Sequence, residues 1–250
     1  MRAQAVPLTI THLVGNALIL WLGYYWLGIG ESDGAHLAWS VAVVLLFVVS
    51  ALWLHGTALA VFDAESRSTF ISAARTVARN LIPLFVLAVA AIAIYWLLMW
   101  LFDQFGHRAF IIASFLTLHT RKPVSPQRVL ACYHALIWLL EWVIVPVILL
   151  PVAAKTAVHG WSGYRVRSLR WSSALLYWIE VCGLLLLAIW VPLRLLHWIP
   201  VFTKFNAQMA SFVGRFALGY LLFVVALLSL EYFTSAGKPR SIQPNTVVSP

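Results

Sequence analysis

Five ionisable residues within apolar runs long enough to cross a bilayer form the first candidate group. His134 and Glu141 share one run, Glu180 and Arg194 a second, and Arg215 stands in a third. Translocon-type scales put a charged side chain at the centre of a span at roughly 2.5–3.5 kcal/mol, so such residues mark either a functional site or a compensating pair. Glu141 sits near the middle of its run, and His134, seven residues earlier, falls on the same helical face. Arg215 lies outward of the centre of its run and Arg194 farther out on its own. An ion pair of Glu141 with Arg215 or Arg194 would lower the cost of both. The chemistry this offers is a proton, ion or substrate site in the outer half of a bundle. The alternative is a structural pair that fixes helix packing. Glu180 and Arg194 are fourteen residues apart, hence on nearly one face and separated by roughly 20 Å of helix. Against a hydrocarbon core of roughly 30 Å, both do not reach water comfortably, so one snorkels or finds a protein partner.

The histidines offer a second chemistry. A tight polar turn, ESDG at 31–34, closes the first hairpin. His12 lies 21 residues before Asp33 and His55 lies 21 residues after Gly34, which puts the two at matching depth on antiparallel helices. Two neutral imidazoles so placed would serve as axial ligands of a b-type haem, with His134 and His197 as a second pair on the other side. The plainer reading is that His12 and His197, near helix ends, are interfacial hydrogen-bonding residues. No Gly-rich phosphate loop, HExxH or GxSxG motif is present, and no metal site or other cofactor is expected from spacing. Cys132 and Cys182 both sit within apolar runs and read as buried small hydrophobes. Gly56 and Ala60 form a small-xxx-small step beside His55 that permits close helix approach.

Composition says what must position these residues. The chain is 62% apolar and 10% charged, against about 45–50% and 25% in soluble domains, which argues for a lipid-embedded fold. Thirteen Trp and eight Tyr suit two membrane–water interfaces. The expected fold is an all-α polytopic bundle over residues 1–231. Its six transmembrane helices run at about 8–30, 36–62, 81–102, 129–151, 172–199 and 208–231, with kinks at Pro146 and Pro192. Residues 232–250, rich in Ser, Pro and Thr, are expected to be a disordered cytoplasmic tail. The first run is too long for the apolar core of a cleaved signal peptide. The segment 109–120 is apolar but too short to span, and reads as interfacial or re-entrant. Over 68–81, Phe70, Ala74, Val77, Ala78 and Leu81 share one face and Ser68, Ser72, Arg75 and Arg79 the other. That pattern predicts an interfacial amphipathic helix under the third span. Basic residues precede the fifth span again at 164–171, a weak sign of internal duplication.

The basic residues set orientation. Ten Lys or Arg fall in the N-terminus, 63–80, 152–171 and the tail, against five in the opposite loops. This favours cytoplasmic termini in a bacterial inner membrane. The net charge of +9 then points to anionic lipid and not to nucleic acid.

The stretch FISAARTVARNLIPLF at 70–85, a basic amphipathic lead-in ending Arg-Asn before an apolar span, resembles a broad group of bacterial six-helix inner-membrane proteins. The membrane domain found beside glycerophosphodiester phosphodiesterases is of that kind. The resemblance covers Phe70 to about Trp100 and implies a bacterial membrane bundle without the catalytic domain. The expectation is therefore a non-enzymatic integral membrane protein, an accessory or scaffold subunit that meets membrane-protein partner subunits. The alternatives are a small transporter or permease component and a haem-carrying electron-transfer subunit. The first two readings expect purified protein to lack a Soret band in its visible absorption spectrum, and a band that titrates with protein would establish the third.

Overall fold

The computed structural model describes residues 2–30, 32–63, 68–165 and 175–235. Ten α-helices occupy them: α1 (Arg2–Leu27), α2 (Gly34–Phe62), α3 (Phe70–Arg79), α4 (Leu81–Gly106), α5 (Ala109–Thr120), α6 (Pro126–Leu139), α7 (Val145–His159), α8 (Leu175–Leu185), α9 (Val191–His197) and α10 (Phe205–Ser235). No strand occurs among the described residues. Five-residue π-helical turns join α6 to α7 (Leu140–Ile144) and α8 to α9 (Leu186–Trp190), and a 3-10 turn follows α7 (Gly160–Tyr164). The composite helices give six apolar stretches able to cross a membrane: Val6–Leu27, Gly34–Phe62, Leu81–Gly106, Pro126–Tyr164, Leu175–His197 and Phe205–Ser235. The protein is a multi-pass helical membrane bundle.

Local chemistry fixes the ends of these helices. Asp33 caps α2, accepting from the backbone N–H groups of Ala35 and His36 at 2.9 Å each. The His36 backbone N–H, then the His36 side chain, hold this exposed carboxyl below its ordinary range. Ser125 caps α6 with Pro126 at its first turn, where a missing donor costs little. Asn80 bonds the Ala157 and Val158 carbonyls at 3.0 and 3.2 Å, closing the end of α7 against the start of α4.

α2 and α10 form the axis. α10 touches α1, α2, α7, α8 and α9, and α2 touches α1, α3, α4, α7 and α10. The main core cluster joins Leu59 and Ala60 of α2, Ala73 and Val77 of α3, Leu84 of α4, and Ala154 and Ala157 of α7. Gly56 makes this possible: a Cβ there would meet Val77 at 2.9 Å and Leu84 at 3.2 Å. The small-residue step thus serves packing inside the bundle.

Several expectations need correction. α3 docks chiefly on α2, and its buried stripe is Ala73 and Val77, while Ala78 is exposed. Trp53 of α2, donating to the Ala74 carbonyl at 3.2 Å, draws the helix to that side. Lys155 belongs to α7, not to a connecting loop, and pairs with Asp63 at 3.3 Å. The last helix continues to Ser235, so residues 232–235 are span and not tail. The expected tail from 236 onward lies outside the described residues, as does most of the second basic segment at 164–171. The segment 109–120 forms a continuous helix packed on α6.

At the two prolines expected to kink their helices, the α-helical pattern is interrupted by a shared device. Val145–Pro146 and Val191–Pro192 each follow a π-turn, with the valine N–H bonded to the carbonyl of Leu140 or Leu186, five residues back. At the first site this leaves the Glu141 carbonyl without a helical donor, because Pro146 has none. Tyr95 of α4 donates to it at 2.8 Å. Tyr95→Phe is therefore expected to cost about 1 kcal/mol in detergent-unfolding experiments. In a Pro146→Ala background, where residue 146 regains an N–H, the same substitution is expected to cost nothing measurable.

Candidate functional site

Where α1, α2 and α10 meet, three ionisable side chains converge. His12 is wholly buried and packs its ring edge-on against His55, with centroids 5.5 Å apart. Glu231 of α10, 4% exposed, reaches both. His55 Nδ1 donates to Glu231 Oε1 at 2.6 Å, while His12 Nε2 stands 3.8 Å from Oε2. The second distance is beyond hydrogen-bond range. His12 Nε2 and Glu231 Oε2 accordingly face one another with no hydrogen-bond partner. The donor atoms of the three residues all lie within 4.8 Å of one another.

The surrounding sequence explains the placement. The antiparallel hairpin brings the two imidazoles to one depth, as their spacing from the turn requires. Asn16, one turn along α1, donates to the His12 carbonyl at 2.9 Å and stands 3.5 Å from His12 Nδ1. Leu8, Leu54, Ala58 and Leu59 are buried on the flanking turns of α1 and α2. Tyr220 of α10 donates to the Leu13 carbonyl and clamps α10 onto α1 one turn from the histidine. His55 is the one member with substantial exposure, at 29% of its side chain, so the cluster opens to its surroundings there.

The outer-half group is arranged differently from the expectation. His134 and Glu141 do share a face, and with Asp103, Met99 and Phe102 they line a cavity of about 550 Å³ between α4 and α6. His134 is exposed and stacks on Phe102 at 4.6 Å. Glu141 pairs with neither arginine. Arg215 gives its guanidinium to the carbonyls of Leu195, Leu196 and Trp198. The C-terminus of α9 leaves those carbonyls without helical donors and carries partial negative charge, so it outcompetes a distant carboxylate. Arg194 is exposed, 5.1 Å over the Trp190 ring. Glu180 is half-buried, with no ion pair among the described residues. His197 bonds the Leu193 carbonyl of its own helix at 2.8 Å, and no bond or ring contact joins it to His134 among the described residues.

The residue that sequence reasoning missed is Glu231. At the edge of the expected sixth span an acid costs little, so it drew no notice. One signal was present: it stands seven residues after Val224, also buried, on one face of α10.

Fold and site together define a six-span membrane bundle with a buried His–His–Glu cluster near the end that carries both termini. No family model, no curated protein and no solved structure matches the chain. The likeness at residues 70–85 therefore stands on its residues alone.

The cluster makes a stability prediction. His55→Leu removes the only hydrogen-bond partner of the Glu231 carboxylate among the described residues and is expected to cost about 3 kcal/mol in mixed-micelle unfolding. Replacing His12, His55 and Glu231 all by Leu is expected to recover most of that loss, since an apolar core needs no partners.

Proposed function

We propose that this chain is an ion-handling membrane protein, a small transporter or permease component whose working site is the His12–His55–Glu231 cluster. The carrying observation is the facing pair of buried, unpartnered atoms, His12 Nε2 and Glu231 Oε2, 3.8 Å apart. A structural clamp is expected to satisfy its own polar atoms, because each one left bare costs about 1–3 kcal/mol. A site that takes up a proton or cation leaves acceptors bare for it. Intramembrane ionisable groups commonly mark such pathways.

Depth supports the same reading. His12 lies six residues past Val6, about 9 Å along the helix, and Glu231 lies four residues before Ser235, about 6 Å. The Lys and Arg count argues that this end is cytoplasmic, in a bacterial inner membrane. Exposed Arg75 and Arg79 on α3 suit anionic headgroups on that face. The haem alternative is less well supported, because the Glu231 carboxylate bonds His55 at 2.6 Å and stands 3.8 Å from His12, beside both imidazoles where a macrocycle needs room. The accessory-subunit reading rests on the sequence alone, and a stoichiometric partner co-purifying in mild detergent would favour it.

The test is flux. Liposomes containing the purified protein and an internal pH dye are given an acid pulse, then a panel of monovalent and divalent cations. Protein-dependent proton or cation movement is expected in at least one condition. Glu231→Gln, with helicity retained, is expected to slow it by about tenfold or more, roughly 1.4 kcal/mol in the barrier. Absence of protein-dependent movement under every condition would overturn the reading.

A further inference from the structure

Two imidazole nitrogens and a carboxylate in one buried pocket are a ligand set as well as a proton site. We infer that His12, His55 and Glu231 bind a divalent transition-metal ion of the zinc class. This rests on the cluster being the protein's ion site and specifies which ion it takes.

The donor chemistry selects the ion. Ca²⁺ and Mg²⁺ require shells built mainly of oxygen, whereas imidazole nitrogen with one carboxylate suits zinc and its first-row neighbours. Zinc bonds His nitrogen at about 2.0–2.1 Å and carboxylate oxygen at about 2.0–2.2 Å, so tetrahedral ligands sit about 3.3 Å apart. The present separations are 3.8 Å for His12 Nε2 to Oε2 and 2.6 Å for His55 Nδ1 to Oε1. They straddle that value, and the three ligand atoms all lie within 4.8 Å of one another. The 2.6 Å contact is a hydrogen bond, whose proton a metal replaces. Three protein ligands leave a fourth position open, as in sites that exchange ligands rather than structural ones.

The unpartnered atoms add an independent argument. The bare His12 Nε2 and Glu231 Oε2 point at each other across a gap that a cation bonded to both would close. Asn16, whose Nδ2 donates to the His12 carbonyl and stands 3.5 Å from His12 Nδ1, supplies the outer neighbour that fixes the orientation of a ligating imidazole. The half-exposed His55 gives an access route. A ligating nitrogen carries no proton, so on a neutral His55 ring the Nδ1 proton moves to Nε2 as the ion binds. Extra protons on either imidazole or on the carboxylate compete with the ion, and affinity falls as pH falls.

The experiment uses full-length protein purified through a histidine-free tag and stripped with a chelator. Zn²⁺ is titrated in competition with a chromophoric chelator, and Co²⁺ is added separately to read its visible ligand-field bands. One Zn²⁺ per chain is expected, with an affinity that falls as pH falls, cobalt bands and a raised unfolding temperature. His12→Gln and Glu231→Gln are each expected to weaken binding by about a hundredfold or more. His134→Gln with His197→Gln is expected to leave it unchanged. Absence of Zn²⁺ binding, or binding that survives in the His12→Gln/Glu231→Gln double variant, would overturn the inference. Proton flux without metal binding would overturn the metal assignment and leave the transporter reading. Metal binding without flux would support the assignment and overturn transport.

Discussion

Hydrocarbon does not solvate a polar group, so every buried donor and acceptor in this bundle needs a partner inside the protein. Most polar side chains in the spans meet that need by serving the backbone. Tyr95 completes the Glu141 carbonyl, Tyr220 that of Leu13, Tyr164 that of Pro83, Arg215 the end of α9, and Asn80 the end of α7. The targets of Tyr95, Arg215 and Asn80 are carbonyls that a proline or a helix end has deprived of a helical donor, whereas those of Tyr220 and Tyr164 lie within the continuous helices α1 and α4. All five serve the backbone and read as structural for that reason, whatever charge they carry.

His12, His55 and Glu231 break the pattern. They bond mainly to each other, they join the first two helices to the last, and they leave two acceptor-capable atoms bare. Leucine packing would hold the same helices together without the desolvation that three ionisable groups incur. Placing the exception at the junction of α1, α2 and α10 also couples it to the architecture. Any change in its protonation or occupancy alters the attraction between the ends of the chain.

The overall fold was legible because lipid imposes a strong, local signal: long apolar runs, broken by short polar turns, must be helices. The amphipathic helix over Phe70–Arg79 was legible from periodicity for the same reason. Its docking face was not, because Gly56 and Trp53 of another helix decide which side turns inward. That the α-helical pattern is interrupted near Pro146 and Pro192 followed from proline chemistry, whereas the π-turn form of the interruptions depends on how the freed carbonyls find partners. Depth matching brought His12 and His55 together on paper, since a hairpin fixes depth by counting from its turn. Glu231 joins them across 176 positions of sequence, and no count from a turn reaches that far. The outer-half ion pair failed for a related reason. Shared depth ranks candidate partners, but a nearer helix terminus with unsatisfied carbonyls won Arg215.

That failure sharpens the case for the inner cluster. Arginine is always charged and finds adequate company in the carbonyls at the end of α9. Glu141 is then left lining a cavity of about 550 Å³ with Asp103 and His134. The outer group is thus spread between backbone carbonyls and an open cavity, without a tight ligand geometry. The inner group has a different balance: His12 has no exposure, Glu231 almost none, and the gap between them is too narrow for bulk water. In so low a dielectric a bare carboxylate gains most from a cation bound directly to it. A metal-bound nitrogen or oxygen cannot also hold a proton, so the proton and the metal ion compete for the same lone pairs. A single small cation held among three side chains would then determine both the ionic state of this pocket and how firmly α10 closes against the first hairpin.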